Sequence, residues 1–294
     1  MRGRSRIYCT WEIRQVLSVC WKPTSKDWRT HIMFTILGAK GFIGSRLAHS
    51  LTNAGLETYC PARDDAAVFL RELGNVVYAI GVTADFRKRP FDTIRAHVSF
   101  LNEVLEKANF TSLTYLSSTR VYSKSATASP QSILFVNPAD SSDLYNLSKL
   151  AGEAIALNCG RPQVRVVRLS NVVGNDMGAD KSFIGMLIDE ALHGAIHLRT
   201  SPESSKDYIH IDDVVEILPK IATLGTEKIY NVASGTNTLH RDWIAHLSRI
   251  TGCSVTMDES AELASFPQID VSALQNEFSF APRPVLSVLD ILQG

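Results

Sequence analysis

An apolar, β-prone run that breaks off at three evenly spaced glycines constrains this chain more than any other feature. Ile32 to Leu37 reads IMFTIL, β-branched and aromatic, the pattern of a buried strand. Gly38, Gly41 and Gly44 follow at once, spaced G-x-x-G-x-x-G, and Ser45 to Asn53 reads as a helix. A strand that turns directly into a helix needs residues without a Cβ at the turn. It also aims the free N–H groups and dipole of the helix N-terminus at one point, where a pyrophosphate fits. For these three residues taken alone, an ordinary glycine-rich turn is the alternative.

The rhythm that follows predicts a layered α/β protein. Glu57 to Cys60 reads as a second strand, Ala66 to Leu73 as a short helix and Val76 to Ile80 as a third strand. Residues 91–108 carry Ile94, Val98, Leu101, Val104, Leu105 and Ala108 on one helical stripe. Leu113 to Leu116 is a strand that ends in Ser117-Ser118-Thr119, residues 123–142 are loop, Tyr145 to Leu157 is a helix and Val164 to Leu169 a strand. Strands alternating with helices imply a parallel sheet covered on both faces. Beyond Asn171 the expected elements are a helix over 182–193, a strand Tyr208 to Ile211, a helix N-capped by Asp212 or Asp213, a strand Ile229 to Val232, and helices Arg241 to Thr251 and Val285 to Leu292.

Length and charge bound the classes. The 294 residues suit a main domain with a smaller second lobe, and 45% hydrophobic residues supply an ordinary core. Lys+Arg and Asp+Glu are both 30, so no global field argues for nucleic acid. No run of about 18 apolar residues predicts a membrane span. Cys9, Cys20, Cys60, Cys159 and Cys253 are scattered, which points to reduced intracellular thiols, a cytoplasmic setting and no zinc or other metal site. The first 32 residues stand apart. They hold Trp11, Trp21 and Trp28 and a basic excess (Arg2, Arg4, Arg6, Arg14, Lys22, Lys26 and Arg29 against Glu12 and Asp27). They read as an appendage, a transit peptide being the alternative.

The chemistry-bearing pattern is Tyr145-Asn146-Leu147-Ser148-Lys149. Tyr and Lys four apart share a helix face. A free phenol, with a pKa of about 10, is too weak an acid to serve as a base at neutral pH; a neighbouring ammonium favours the phenolate. Ser118, at a strand end, would hydrogen-bond the reacting oxygen, on the side of an open sheet where ligands bind. A chance surface pair is the alternative for Y-x-x-x-K alone. After the second strand, Pro61-Ala62-Arg63-Asp64-Asp65 offers both an arginine for the 2′-phosphate of NADP and carboxylates for the ribose of NAD. Arg63 comes first and leans toward NADP.

Together these segments resemble the extended short-chain dehydrogenase/reductase family, in particular its NAD(P)-dependent sugar-nucleotide epimerase/dehydratase group, over about residues 33–292. The likeness rests on TILGAKGFIGSRL, YLSSTRVY, YNLSKLAGE, VRVVRLSNVVG, KDYIHIDDV and IYNVASG. It implies a Rossmann-type doubly wound parallel sheet over 33–173, and a substrate lobe mainly from 174–294, with 207–233 returning to the first domain. It implies Ser118, Tyr145 and Lys149 as the catalytic set. Cofactor contacts would come from Gly38, Gly41, Phe42, Ile43, Gly44, Arg63 and Gly81 with Tyr145 and Lys149, and substrate contacts from Thr119, Asn171 and Lys206. A nucleotide-sugar substrate and a homodimer follow by the same likeness.

Four departures qualify it. Thr119-Arg120 stands where the family's 4,6-dehydratases carry Asp-Glu, which disfavours dehydration. His97 replaces a usual asparagine. The stretch from Arg63 to Val76 is short enough to lack a peripheral strand. No arginine shortly precedes Asp270, where relatives have a second phosphate clamp. The expected activity is hydride transfer at a hydroxyl or keto carbon of a nucleotide-linked sugar. An NADPH-dependent 4-ketosugar reductase is one alternative, and a non-catalytic NAD(P)-binding sensor on the same fold is another.

Overall fold

The computed structural model describes residues 32–174, 182–258 and 261–293; of the expected N-terminal appendage, all but Ile32 lies outside the described residues. The chain divides into two units. The first takes the described residues up to Ser117, with Asn137–Val167 and Val214–Tyr230; the second takes Ser118–Val136, Arg168–Asp213 and the chain from Asn231 on.

The first unit is built on parallel strands. β1 (Met33–Leu37) lies between β2 (Glu57–Tyr59) and β3 (Asn75–Tyr78), with Thr35 opposite both Tyr59 and Val76. β4 (Ser112–Ser118) pairs with β3, and β5 (Val164–Leu169) and β9 (Ile229–Val232) complete the order β2-β1-β3-β4-β5-β9. The chain runs from β1 to the edge strand β2 and returns to β3 on the other side. That reversal opens a crevice at the carboxyl ends of β1 and β3, the usual ligand position in such sheets. Strands buried on both faces need continuous apolar runs. Val76, Tyr78, Leu113 and Tyr115 accordingly pack with Leu101, Val104, Leu105 and Ala156, and Val77 between them is buried too.

Helix α1 (Phe42–Asn53) follows the glycine turn and buries Gly44, Leu47 and Leu51. The expected helix over 91–108 is present but not regular. It runs as α2 (Pro90–Ile94), a π-helical turn Arg95–Ser99 and α3 (Phe100–Lys107). Such wide turns leave main-chain carbonyls that need other donors, and here Tyr78 and Tyr115 supply hydroxyls to Ala96 (2.7 Å) and His97 (3.2 Å). The expected helix over 66–73 is only a 3₁₀ turn, Ala66–Phe69, capped by Asp65 and stopped before Gly74, whose φ is +60°. With no strand between β2 and β3, β2 is the sheet edge. Helix α4 (Leu144–Asn158) packs on the π turn, and Gly152 is what permits it: a Cβ there would stand 2.6 Å from the His97 carbonyl.

The second unit has its own core. β6 (Asn171–Val173), β8 (Ser205–His210) and β10 (Asn237–Leu239) form a sheet of order β10-β8-β6, with Asn171 opposite Tyr208 and Lys206 opposite Thr238. β7 (Ala195–Leu198) pairs in parallel with β11 (Ser254–Met257). Ile184, Leu187 and Ile188 of α5 (Phe183–Leu192) close on Trp243, Ile244 and Leu247 of α7 (His240–Thr251). α7 ends at Gly252, whose φ of +72° is the left-handed stop that glycine favours.

The strands β6, β7, β10 and β11 and helix α8 (Ser272–Phe278) were not expected, being too short to show a period, and 285–293 is a 3₁₀ helix. Helix α6 (Ile211–Leu224) starts before the expected caps, so Asp212 and Asp213 lie in its first turn. Asp213 is buried and bonded to Arg283, while His210 Nδ1 accepts the Asp212 N–H at 3.1 Å. No helix among the described residues is long and apolar enough to cross a membrane.

Candidate active site

The glycine turn has the shape that its sequence spacing implies. Gly38 sits at φ +97°, and a Cβ there would stand 2.8 Å from the Ala79 carbonyl carbon. One on Gly44 would stand 2.3 Å from the Gly38 oxygen. The turn closes through Gly41 N–H to Gly38 O (3.0 Å). Gly41 caps α1 without a side chain and the first turn holds no acidic residue. The first-turn N–H groups, those of Phe42 and Ile43 among them, therefore meet no capping side chain and no acidic residue, and with the helix dipole behind them they fit a phosphate. Gly81, past the end of β3, leaves space beside His97 and Lys149. A Cβ there would stand 3.3 Å from His97 Nε2 and 3.6 Å from Lys149 Nζ. These four glycines leave a cradle that a Cβ would fill at Gly38, Gly44 and Gly81, a fit for a dinucleotide.

At the end of β2, Asp65 is already engaged by the Tyr59 hydroxyl (2.8 Å) and the Ala67 N–H (3.0 Å), which hold its carboxyl below the usual range. Arg63 is exposed and has no partner among the described residues.

Tyr145 and Lys149 stand together as the helical spacing implies. Lys149 Nζ donates to the Leu116 carbonyl (2.9 Å) and lies 5.2 Å from the centre of the Tyr115 ring and 5.9 Å from that of Tyr145. Both residues are buried, Lys149 at 4% exposure. Burial pushes the lysine down to about 7, opposed by Glu153. Tyr145 packs against Phe86, Val82 and the edge of the His97 ring (5.4 Å, 90°).

Ser118 ends β4 and begins the second unit. Its Oγ accepts the Arg120 N–H (3.2 Å), capping the 3₁₀ turn Thr119–Tyr122. Because that bond uses the oxygen as acceptor, the hydroxyl proton stays available to a ligand. Thr119 is buried in the same turn. In the same unit the Asn171 amide donates to the Asp207 carbonyl (2.8 Å), so part of its capacity joins β6 to β8. Lys206 is half-buried, with no hydrogen bond or ion pair among the described residues. Desolvation and the nearby Arg120 charge lower its pKa. The Asp207 carboxylate accepts from the Ser234, Gly235 and Thr236 N–H groups and so fixes the loop between β9 and β10. Among the described residues no cluster of three or more His, Cys, Asp or Glu could hold a metal.

Sequence reasoning marked His97 only as a departure from the family pattern and missed Ser148 and Val82. His97 has no exposed surface; its Nε2 accepts the Val82 N–H (3.1 Å) and its Nδ1 meets Ser148 Oγ (2.8 Å). The signal was available, since His97 falls four before Leu101 and seven before Val104, on the face the helix buries; the expected stripe began too early, at Ile94, which is exposed.

Comparison with known proteins shows the family and the fold. The model of the NAD dependent epimerase/dehydratase family matches residues 34–233. No curated protein sequence matches the chain. Among solved structures, MoeE5 in complex with UDP-glucose and NAD is 20% identical, covering 88% of this chain and 96% of its own at a TM-score of 0.74. UDP-glucose 4-epimerase of Thermotoga maritima is 15% identical (89% and 97%, TM-score 0.73). RMD from Pseudomonas aeruginosa, complexed with NADPH, is 19% identical (89% and 98%, TM-score 0.72). Dehydratases share the fold as well. With well over half of its length matched by the family model, the chain belongs to the NAD-dependent epimerase/dehydratase family.

Proposed function

We propose that this chain is an NAD(P)-dependent oxidoreductase of nucleotide-linked sugars, acting as an epimerase or a reductase through Tyr145, Lys149 and Ser118. The observation that carries the reading is the burial of Lys149 against two phenol rings. Burying an ammonium costs stability unless its charge is used, and here the charge lies beside the phenol that would move the proton.

A bound nicotinamide would supply hydride acceptance and donation. Tyr145 Oη takes the proton from a hydroxyl being oxidised, or returns one to a ketone. Lys149 favours the phenolate form. Ser118 donates its free proton to the reacting oxygen, and Lys206, Asn171 and Thr119 hold the rest of the substrate. The α1 N-terminus would hold the phosphates of the dinucleotide. Thr119-Arg120 brings no carboxyl next to Ser118, so the acid–base pair for eliminating water is missing there. The bound ligands of MoeE5 and RMD support the classes of substrate and cofactor. Exposed Phe91 and Ile94 on α2 support pairing with a second copy.

One observation favours the reductase as the second reading. Of the two carboxylates that follow β2, Asp65 is occupied and Asp64 is exposed, and Arg63 beside them is exposed and unpartnered among the described residues, which suits a 2′-phosphate. Native mass spectrometry and absorbance of protein purified without added cofactor, followed by NADH and NADPH titration, test both. Retained dinucleotide supports the epimerase. Empty protein that binds NADPH much more tightly supports the reductase. Binding of neither overturns the proposal.

A further inference from the structure

The π turn in the helix over 90–107 places one imidazole between two parts of the candidate site. Val82 N–H donates to His97 Nε2, so that nitrogen is the bare acceptor. The proton of the neutral ring is then on Nδ1, which donates to Ser148 Oγ at 2.8 Å, and Ser148 in turn donates to the Tyr145 carbonyl at 2.8 Å. The chain of bonds is continuous and its direction is fixed. It begins in the backbone just after Gly81 and ends on the first turn of α4. Each member is buried: His97 at 0% exposure and Ser148 at 1%.

The surrounding residues hold this arrangement. Tyr78 and Tyr115 take the freed carbonyls of Ala96 and His97, and Gly152 makes room for the His97 carbonyl. The titratable groups facing the ring are Lys149, Tyr145 and Tyr115, and burial with the Lys149 charge pushes the imidazole down to about 2, so it stays neutral at working pH. A leucine of similar volume would fill the same space, yet would leave the buried Val82 N–H without an acceptor.

We propose that His97 is a positioning residue, tying the loop after β3 to the helix that carries Tyr145 and so setting the cofactor side and the proton carrier in one register. This rests on the reading of Tyr145 as proton carrier. The test uses the full chain with NADPH and NADP⁺ as probes, and variants His97→Leu, His97→Asn and Ser148→Ala. Two quantities are measured: NADPH affinity, and the pH at which Tyr145 ionises, taken from phenolate absorbance with Tyr145→Phe as the blank.

In His97→Leu the affinity for NADPH falls about ten-fold and the Tyr145 titration moves by about one pH unit. His97→Asn, whose amide can accept from Val82 and donate to Ser148, restores both to within about three-fold of wild type. Ser148→Ala moves the titration alone, which a general loss of packing would not do. Should His97→Leu fail to fold, His97→Asn and Ser148→Ala still decide the matter. Unchanged affinity and titration in a folded His97→Leu, or a Ser148→Ala that loses cofactor as readily as it shifts the phenol, overturns the proposal. A wild-type chain that binds neither dinucleotide overturns the functional reading instead.

Discussion

Lys149 Nζ donates a 2.9 Å hydrogen bond to the carbonyl of Leu116, two residues before Ser118 on the same strand. One buried side chain thereby connects the helix bearing Tyr145 to the strand that ends in Ser118. Its stability consequences can be measured without any substrate.

Lys149 is held down to about 7 by burial, from 10.5. Between those two values the unfolded chain binds more protons than the native one, so wild-type stability rises with pH across that window; below about 7 the full cost of the buried ammonium is present. Lys149→Met is therefore expected to melt a few degrees higher than wild type at pH 6, and to lose that advantage as pH approaches 10.5. Thermal melts at both pH values check it; a gain that does not depend on pH would contradict it.

The glycines of the turn are not equivalent. A Cβ at Gly44 would stand 2.3 Å from the Gly38 carbonyl oxygen, and one at Gly41 would make an ordinary 3.4 Å contact with the same atom. Gly44→Ala should cost about 1–3 kcal/mol of stability and abolish dinucleotide binding. Gly41→Ala should melt close to wild type. Denaturant unfolding of the two variants side by side separates them.

Arg63 decides the cofactor if the 2′-phosphate reading holds. Arg63→Glu is expected to weaken NADPH about ten-fold or more, the worth of one charge-assisted contact of about 1.5–3 kcal/mol, with NADH affinity nearly unchanged. Titration of both reduced cofactors reads this directly. Equal losses for the two would remove Arg63 from the site.

Lys206 is a half-buried ammonium without a hydrogen-bond partner among the described residues. Replacing it by methionine should leave the melting temperature equal or higher, since an unpaired desolvated charge disappears. If the chain takes nucleotide sugars as proposed, the replacement should also weaken binding of such a ligand, with UDP-glucose as the probe, about ten-fold. Calorimetric titration paired with a melt checks both halves; weaker binding accompanied by a lower melting point would show a structural role only.

Much of this was legible in the residues because it depends on local periodicity. The Ile32–Leu37 run, the glycine spacing and Y-x-x-x-K each predict their own surroundings, and a parallel sheet follows from alternating strands and helices, though the strand expected at Tyr208–Ile211 belongs to the second, three-stranded sheet. What escaped depends on distant partners. The π turn exists because Tyr78, Tyr115 and Gly152, remote in sequence, accommodate its carbonyls. β10 exists only against β8, and three residues carry no period of their own. His97 was visible as a departure from the family pattern, but its bonds to Val82 and Ser148 are tertiary.

The central claim is that Tyr145 moves a proton in step with hydride transfer on a sugar nucleotide. The most direct test mixes the protein with NAD⁺ or NADP⁺ and UDP-glucose or UDP-glucuronic acid and follows reduced-nicotinamide absorbance, in wild type and Tyr145→Phe. The account predicts reduced nicotinamide with at least one pair in wild type, and in Tyr145→Phe a rate lower by about a hundred-fold or more with dinucleotide affinity retained. Equal rates in the two proteins would contradict it.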